Sequence, residues 1–445
     1  MTEHVIDVLV DDLLTRRDKY TPATQQAGRR CLADAIACAA AGSGGPTYSL
    51  IYTAIGPILG GAPQATVWFG NRRASLAEAM HMNSTAVAAD DLDDGNRSAI
   101  GHPGGAVIPA VLGYAEALGY NGDLLMPIAF GYDAAVTVAG GRTAHRVPTM
   151  ATGRWAAYGV AAAIWAMSGA SREVLTRALA HAASLSPQLV HPVATAPDGL
   201  KEGTAWATLA GLAAFRLANS GVDAPLHALD THPDFDPGWF RSTGTEPAIQ
   251  ETYFKRYACC RWIHPALDLI FELRRRGEMP DPASIEAIEI HTFERSLWLP
   301  NNPRPASLES AHYSFPFCVA LGVFAEPAEF LPLTPAVLGH QSALSLAQRV
   351  RVIESAELTA AFPARTPIEL TITASGTSID LNLPTATGDP SLPLSDDQLA
   401  GKHAILLHHH PGVRAELSRV LRGSGPLTLT DLPVTLDQSP GKDLS

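Results

Sequence analysis

The sequence predicts a large helical domain followed by a smaller α+β lid, and three observations carry that expectation. Apolar residues recur at helical spacing, with short Gly/Pro breaks, as far as about residue 220. After about residue 265 the texture changes to period-two alternation, as in Ala283-Ser-Ile-Glu-Ala-Ile-Glu-Ile-His-Thr-Phe293. A helical pattern returns after Gly388-Asp389-Pro390. Residues 1–265 and 403–445 are therefore expected to form the helical domain, and residues 266–402 the lid. With 445 residues, 46% hydrophobic and 17% charged, the chain can bury a large core.

Residues 4–16 are amphipathic and read as a helix. Thr21 and Pro22 supply an N-cap and a first-turn proline for a run to Ala41, with Leu32, Ala35, Ile36 and Ala39 on one stripe. Gly42-Ser-Gly-Gly-Pro46 stops it. Residues 74–89 read as a helix rich in Ala and Met, and the clearest later periodicity covers 123–139, 153–168, 173–185 and 202–219. Many core-facing positions there are small (Ala156, Ala157, Gly159, Ala161 to Ala163), which lets helices approach closely, and no parallel sheet is expected in this half. Beyond it, Val350–Glu354 and Ile368–Ala374 alternate as strands, and Thr377–Leu383 completes a hairpin with Gly376 in the turn. Helical runs at 266–276, 314–324 and 343–349 lie between the strands. Ser395 and Gln398 form a capping box, and a last helix covers about 411–422.

Charge and motifs narrow the function. The chain carries 32 basic and 44 acidic side chains, a net of −12, which argues against nucleic acid or an anionic membrane surface as partner. An anionic small molecule in a local basic pocket is not excluded. Cys31, Cys38, Cys259, Cys260 and Cys318 have neither zinc nor redox spacing, which fits a reducing, cytoplasmic setting. The first residues, Met-Thr-Glu-His-Val-Ile-Asp-Val, lack the basic start of a signal peptide, and no apolar run reaches the roughly 18 residues of a membrane span. Gly101 to Gly105 lacks the lysine of a phosphate-binding loop. His403 and His408 to His410 have no carboxylate at ligand spacing, so no metal is expected there.

One stretch concentrates reactive groups. Asp90-Asp-Leu-Asp-Asp94-Gly-Asn-Arg97-Ser-Ala-Ile-Gly-His102-Pro-Gly-Gly105 places four carboxylates, an arginine and a histidine in a turn between two apolar helices. A rigid scaffold commonly presents chemistry on such a loop. The plain alternative is a solvated acidic turn, with His102 capping the next helix and Pro103 in its first turn.

Several stretches in order resemble the MmgE/PrpD family. They are Asp91-Leu-Asp-Asp94; His102-Pro-Gly-Gly-Ala-Val-Ile-Pro109-Ala with Ala115-Glu116; Gly131-Tyr132; Lys255-Arg-Tyr-Ala-Cys-Cys-Arg261-Trp-Ile-His264-Pro-Ala-Leu-Asp268; and Gly388-Asp389-Pro390 with Pro393-Leu394-Ser395 and Lys402. The resemblance covers roughly residues 20–425. It implies a helical domain with an α+β lid, a homodimer, and a site at the domain interface that uses neither metal nor organic cofactor. Known members include 2-methylcitrate dehydratases, cis-aconitate decarboxylase and iminodisuccinate epimerase. Their shared chemistry is proton removal next to a carboxylate, which needs a base, an acid and cations. By this resemblance Asp91, His102 and His264 fall on functional positions.

The sequence also departs from the family pattern. A family histidine before the Asp motif is Ala88 here. A second, before the Ala/Gly-rich helix, has no counterpart in register, although His145 lies just upstream. The position of a family lysine holds Asp198, with Lys201 shifted by three residues. The threonine often found after the Asp pair is Gly95, and the aromatic hydroxyl expected near residue 317 is Phe317, with Tyr313 close by. Candidate anchors for a substrate carboxylate are Arg97, Lys201, Arg261, His145 and Tyr313. Arg154 and Lys255 are weaker candidates, read mainly as surface charges. The expected activity is a lyase acting on a small carboxylate. A dicarboxylate epimerase and a non-catalytic ligand-binding paralogue are the alternatives.

Overall fold

The computed structural model describes residues 4–143, 147, 149–188, 199–242, 244 and 246–432. Its helical unit opens with α1 (Val5–Arg17), α2 (Pro22–Gly42) and α3 (Pro46–Leu59), followed by α4 (Leu76–Ala88), α5 (Gly104–Leu118) and α6 (Leu125–Gly140). Helices α7 (Ala156–Ser168), α8 (Arg172–Leu185) and α9 (Thr204–Asn219) complete the main layer, and the short α10 spans Ala228–Thr231. Local sequence explains the ends. Thr21 and Thr24 form a capping box before Pro22, and Ser75 accepts from the Glu78 N–H at 3.1 Å to start α4. The small residues act as expected: a Cβ on Gly159 would lie 2.5 Å from the Gly131 carbonyl, so only glycine permits this approach of α6 and α7.

The helical unit is not purely helical. β1 (Ala65–Val67) pairs antiparallel with β2 (Arg72–Ala74), and β3 (Gly95–Asn96) pairs antiparallel with β4 (Thr252–Tyr253). These two- and three-residue strands are too short for alternation to reveal.

The second unit starts with α11 (His264–Arg276) and is built around a sheet of β5 (Ile285–Thr292), β6 (Val350–Glu354), β7 (Ile368–Ala374) and β8 (Thr377–Leu383). The strand order is β6-β5-β7-β8, with β5 and β6 parallel and the other pairs antiparallel. Ile288, Ile290 and Thr292 of β5 are buried with period two, and a register shift between Ile285 and Ala287 lets Ile285 be buried as well. Ser375 and Gly376, at φ 50° and 74°, make the tight β7–β8 turn. Helices α12 (Leu308–His312), α13 (Phe315–Phe324), α14 (Gln341–Ala347) and α15 (Ala356–Ala361) surround this sheet. The chain then returns: α16 (Asp396–Leu406) and α17 (Pro411–Arg422) both pack on α2. The Ser395/Gln398 capping box opens α16. All five cysteines are free, and among the described residues no helix is long and apolar enough to cross a membrane.

Candidate active site

The turn between α4 and α5 is buried, not solvated. Asp91, Asp93 and Asp94 are all under 5% exposed. Burial of so many polar groups demands partners, and distant elements supply them. Lys402 of α16 reaches the Leu92 carbonyl at 2.8 Å and Asp34 of α2 at 2.7 Å. Asn96 accepts the N–H groups of Ser98 and Ala99. Asp94 accepts the Gly104 N–H at 3.2 Å and the Tyr132 hydroxyl, which anchors the start of α5. That helix begins at Gly104 with Pro103 as its N-cap, so the His102 ring does not cap it. Four non-glycine residues here take left-handed backbone conformations: Asp91, Ile100, Lys201 and Glu202. Such conformations cost about 1–3 kcal/mol each and persist where surroundings over-determine them.

The titratable groups shift in opposite directions. Burial pushes the Asp91 carboxyl up, but Lys255, Lys201 and His102 pull it well below the usual carboxylate range, so it is ionised. The Lys255 ammonium lies 2.8 Å from Asp91 Oδ2 and is fully buried. Burial dominates at its neighbours, pushing Asp93 up to about 6 and Asp94 up to about 7. His102 lies between these acids, with Nε2 3.8 Å from Asp91 Oδ1 and Nδ1 3.5 Å from Asp93 Oδ1. Burial lowers its pKa, yet Asp93 and Asp91 outweigh burial and leave it raised. Its Nδ1 is also 2.8 Å from the Asp94 carbonyl oxygen. A carbonyl only accepts, so Nδ1 carries the proton and Nε2 holds the basic lone pair.

A second cluster adjoins the first. Lys201 Nζ lies 2.9 Å from His312 Nδ1 and 5.3 Å from the centre of the Tyr313 ring. Burial and the nearby Lys201 charge hold His312 well below an ordinary imidazole, so it is neutral and accepts from the ammonium. Lys201, Asp91, His102 and Tyr313 line one small recess that Ala88 also borders. Lys201 and Ala88 thus border the same recess. Glu202 accepts both the N–H and the hydroxyl of Thr152 at 2.8 Å, and the Thr152 hydroxyl oxygen receives the His102 N–H.

The recess opens into a larger cavity at the junction of the two units. Asp91, Arg97, His102, Arg261 and Tyr313 all line it. The Arg97 guanidinium is bound to Asp389, the Ala364 carbonyl and Thr385 of the second unit, so it clamps the junction while facing the cavity. Arg261 donates to the carbonyls of Thr387 and Ala386 at 2.9 and 3.0 Å. His264 is fully buried and is not on the cavity wall. Its Nε2 meets the Cys259 carbonyl at 3.2 Å, and its Nδ1 lies 3.4 Å from Arg261. This geometry makes His264 a support for Arg261.

The structure therefore gathers Asp91, His102, Lys201, Arg261, Arg97 and Tyr313 around one space, and places His264 behind it. His145 and Asp198 lie outside the described residues. The surface reading of Lys255 is corrected, since it is fully buried against Asp91. Arg154 pairs with Asp234 at 2.5 Å and lines a different cavity. Phe317 is buried without reaching the cavity, and Tyr313 takes the cavity wall instead. Gly95 also finds an explanation: a Cβ there would lie 2.3 Å from the Tyr253 ring, so the missing side chain makes room for a tyrosine on the cavity wall. Sequence reasoning missed His312, Glu202 and Tyr253. For Lys255 a signal existed, namely a lone lysine among Tyr253, Phe254, Tyr257 and Ala258.

Among the described residues, no three His, Cys, Asp or Glu side chains are grouped to hold a metal ion; His408 and His409 are exposed. A comparison with curated proteins finds no match. Family profiles do match: the MmgE/PrpD N-terminal domain over residues 14–248 and the MmgE/PrpD C-terminal domain over residues 257–421. Together they span nearly the whole chain, and the protein belongs to the MmgE/PrpD family, which includes dehydratases and related enzymes.

Proposed function

We propose that the protein is a cofactor-independent lyase, of dehydratase or decarboxylase type, that removes a proton next to a carboxylate. One observation carries this reading: His102 lines the cavity beside the ionised Asp91, and the Asp94 carbonyl at Nδ1 leaves the basic lone pair on Nε2. Nε2 takes the proton from carbon, and Asp91 and Asp93 stabilise the resulting imidazolium. Negative charge that develops on the substrate carboxylate is met by Lys201 and Arg261, whose pre-set positions need no reorganisation. Neutral His312 holds the Lys201 ammonium in place, and His264 orients Arg261. In dehydration the hydroxyl on the neighbouring carbon then leaves as water with a proton from Lys201. In decarboxylation CO2 leaves with its bonding pair remaining on carbon, and protonated His102 returns a proton to that carbanion.

The same groups could return a proton to the opposite face of the carbon, which makes a dicarboxylate epimerase the alternative. Incubation in deuterated water with a panel of 2-substituted malates and succinates separates the readings. A lyase changes the mass formula of the substrate. An epimerase leaves it unchanged apart from deuterium at the reacting carbon. Stabilisation of the protein by a panel member without conversion would instead favour a ligand-binding paralogue.

A homodimer belongs to the same proposal. Its support is the outer face of α3, where Leu50 and Ile58 are 71% and 72% exposed on an otherwise apolar helix.

A further inference from the structure

The cavity has two chemically different sides. Asp91 and His102 come from the helical unit, and another part of the lining carries Trp262, just before α11, with Trp298, Leu299 and Phe362 of the second unit. This aromatic wall is built, not incidental. Trp262 meets Phe362 edge-on, with ring centres 5.7 Å apart at 87°, and Phe362 stacks on buried Phe293 at 4.4 Å. Trp298 remains 37% exposed, with the Arg295 guanidinium 4.0 Å above its ring. Large aromatic side chains left partly uncovered beside a polar reaction centre favour a flat apolar group of the ligand.

The charge balance limits how many carboxylates the site can hold. Lys255 is paired with Asp91, and Arg97 with Asp389. Among the described residues neither Arg261 nor Lys201 makes a direct ion pair: Arg261 donates to carbonyl oxygens beside His264, and Lys201 donates to a neutral imidazole. Two such cations suit one or two carboxylates.

Resting on the proton-transfer reading above, we infer that the substrate is a mono- or dicarboxylate bearing an aryl-sized apolar arm. The carboxylate end lies toward Lys201 and Arg261, and the arm packs on Trp262, Trp298 and Phe362.

Calorimetric binding of 2-benzylsuccinate and 2-methylsuccinate tests this on the whole protein. Burying a phenyl ring predicts about 30-fold tighter binding of the benzyl compound. Trp298→Ala and Phe362→Ala should each bring that ratio towards one while leaving methylsuccinate affinity unchanged. Trp298 is exposed enough that its removal leaves the fold intact. Equal affinities in the wild type, or a ratio that survives both substitutions, would overturn the apolar arm and leave the proton-transfer reading standing. If neither acid binds, both fall. Phenethylamine binding as tightly as benzylsuccinate would overturn the assignment of a carboxylate.

Discussion

The turn around Asp91 and the aromatic wall define one cavity but are stabilised in different ways. The turn is a dense set of buried charges in strained backbone, fixed by Lys255, Lys402, Tyr132 and Asn96. The wall is partly exposed apolar surface held by ring packing. Charges inside a low-dielectric turn are coupled, so changing one alters the others. Rings on a wall act nearly independently. The consequence is a reaction centre with little tolerance for change beside a recognition surface with much.

Lys255→Met should break that contrast most severely. It leaves Asp91 buried and unpaired, which costs about 3–5 kcal/mol, and chemical denaturation would read this as a lower midpoint. Trp298→Ala on the aromatic wall should cost under about 1 kcal/mol, as expected for an exposed side chain. A comparable loss in both variants would remove the distinction.

Gly95→Thr restores the residue type common in the family but drives a Cβ into the Tyr253 ring. The overpacking should cost about 1–3 kcal/mol. The double variant with Tyr253→Ala should recover part of it, and a double-mutant cycle measures the coupling.

The acids sharpen the comparison through pH. Burial holds Asp90 at about 6, Asp93 at about 6 and Asp94 at about 7, all above the ordinary carboxylate value. At these sites the folded protein keeps protons that the unfolded chain releases, so their contribution to stability falls as pH rises from about 4 to about 7. Buried His264 and His312, held neutral, contribute with the opposite sign up to the ordinary imidazole value. The raised His102 acts in the same direction above the ordinary imidazole pKa, whereas the depressed Asp91 acts only below that window. Urea midpoints at pH 5 and pH 8 isolate the Asp94 part: relative to the wild type, Asp94→Asn should gain stability on going from pH 5 to pH 8. The smallest expected effect is at the far surface. Leu50→Asp with Ile58→Asp should leave the fold unchanged and halve the mass seen by light scattering.

Much of the fold was legible because long helices and the seven- and eight-residue strands repeat their periods several times. β5, β7, β8, α4 and the helices from α6 to α9 appear within a few residues of the expected limits. Pairs such as β3–β4 repeat no period, and only their tertiary partners explain them. Asp91, His102, Arg261 and Lys201 were readable from residue type and order. His312 was not, since a lone histidine beside Tyr313 gives no hint of a lysine 111 positions away. Tyr253 became visible only when the empty Cβ position of Gly95 was set against its ring.

The central claim is that His102 Nε2 removes a proton next to a carboxylate. Deuterium exchange at carbon, followed by NMR with the malate and succinate panel in deuterated water, tests it most directly. The wild type should exchange the proton adjacent to a carboxylate. His102→Gln should still bind the same compound and lose exchange by about 100- to 10,000-fold. Undiminished exchange by His102→Gln would contradict the account.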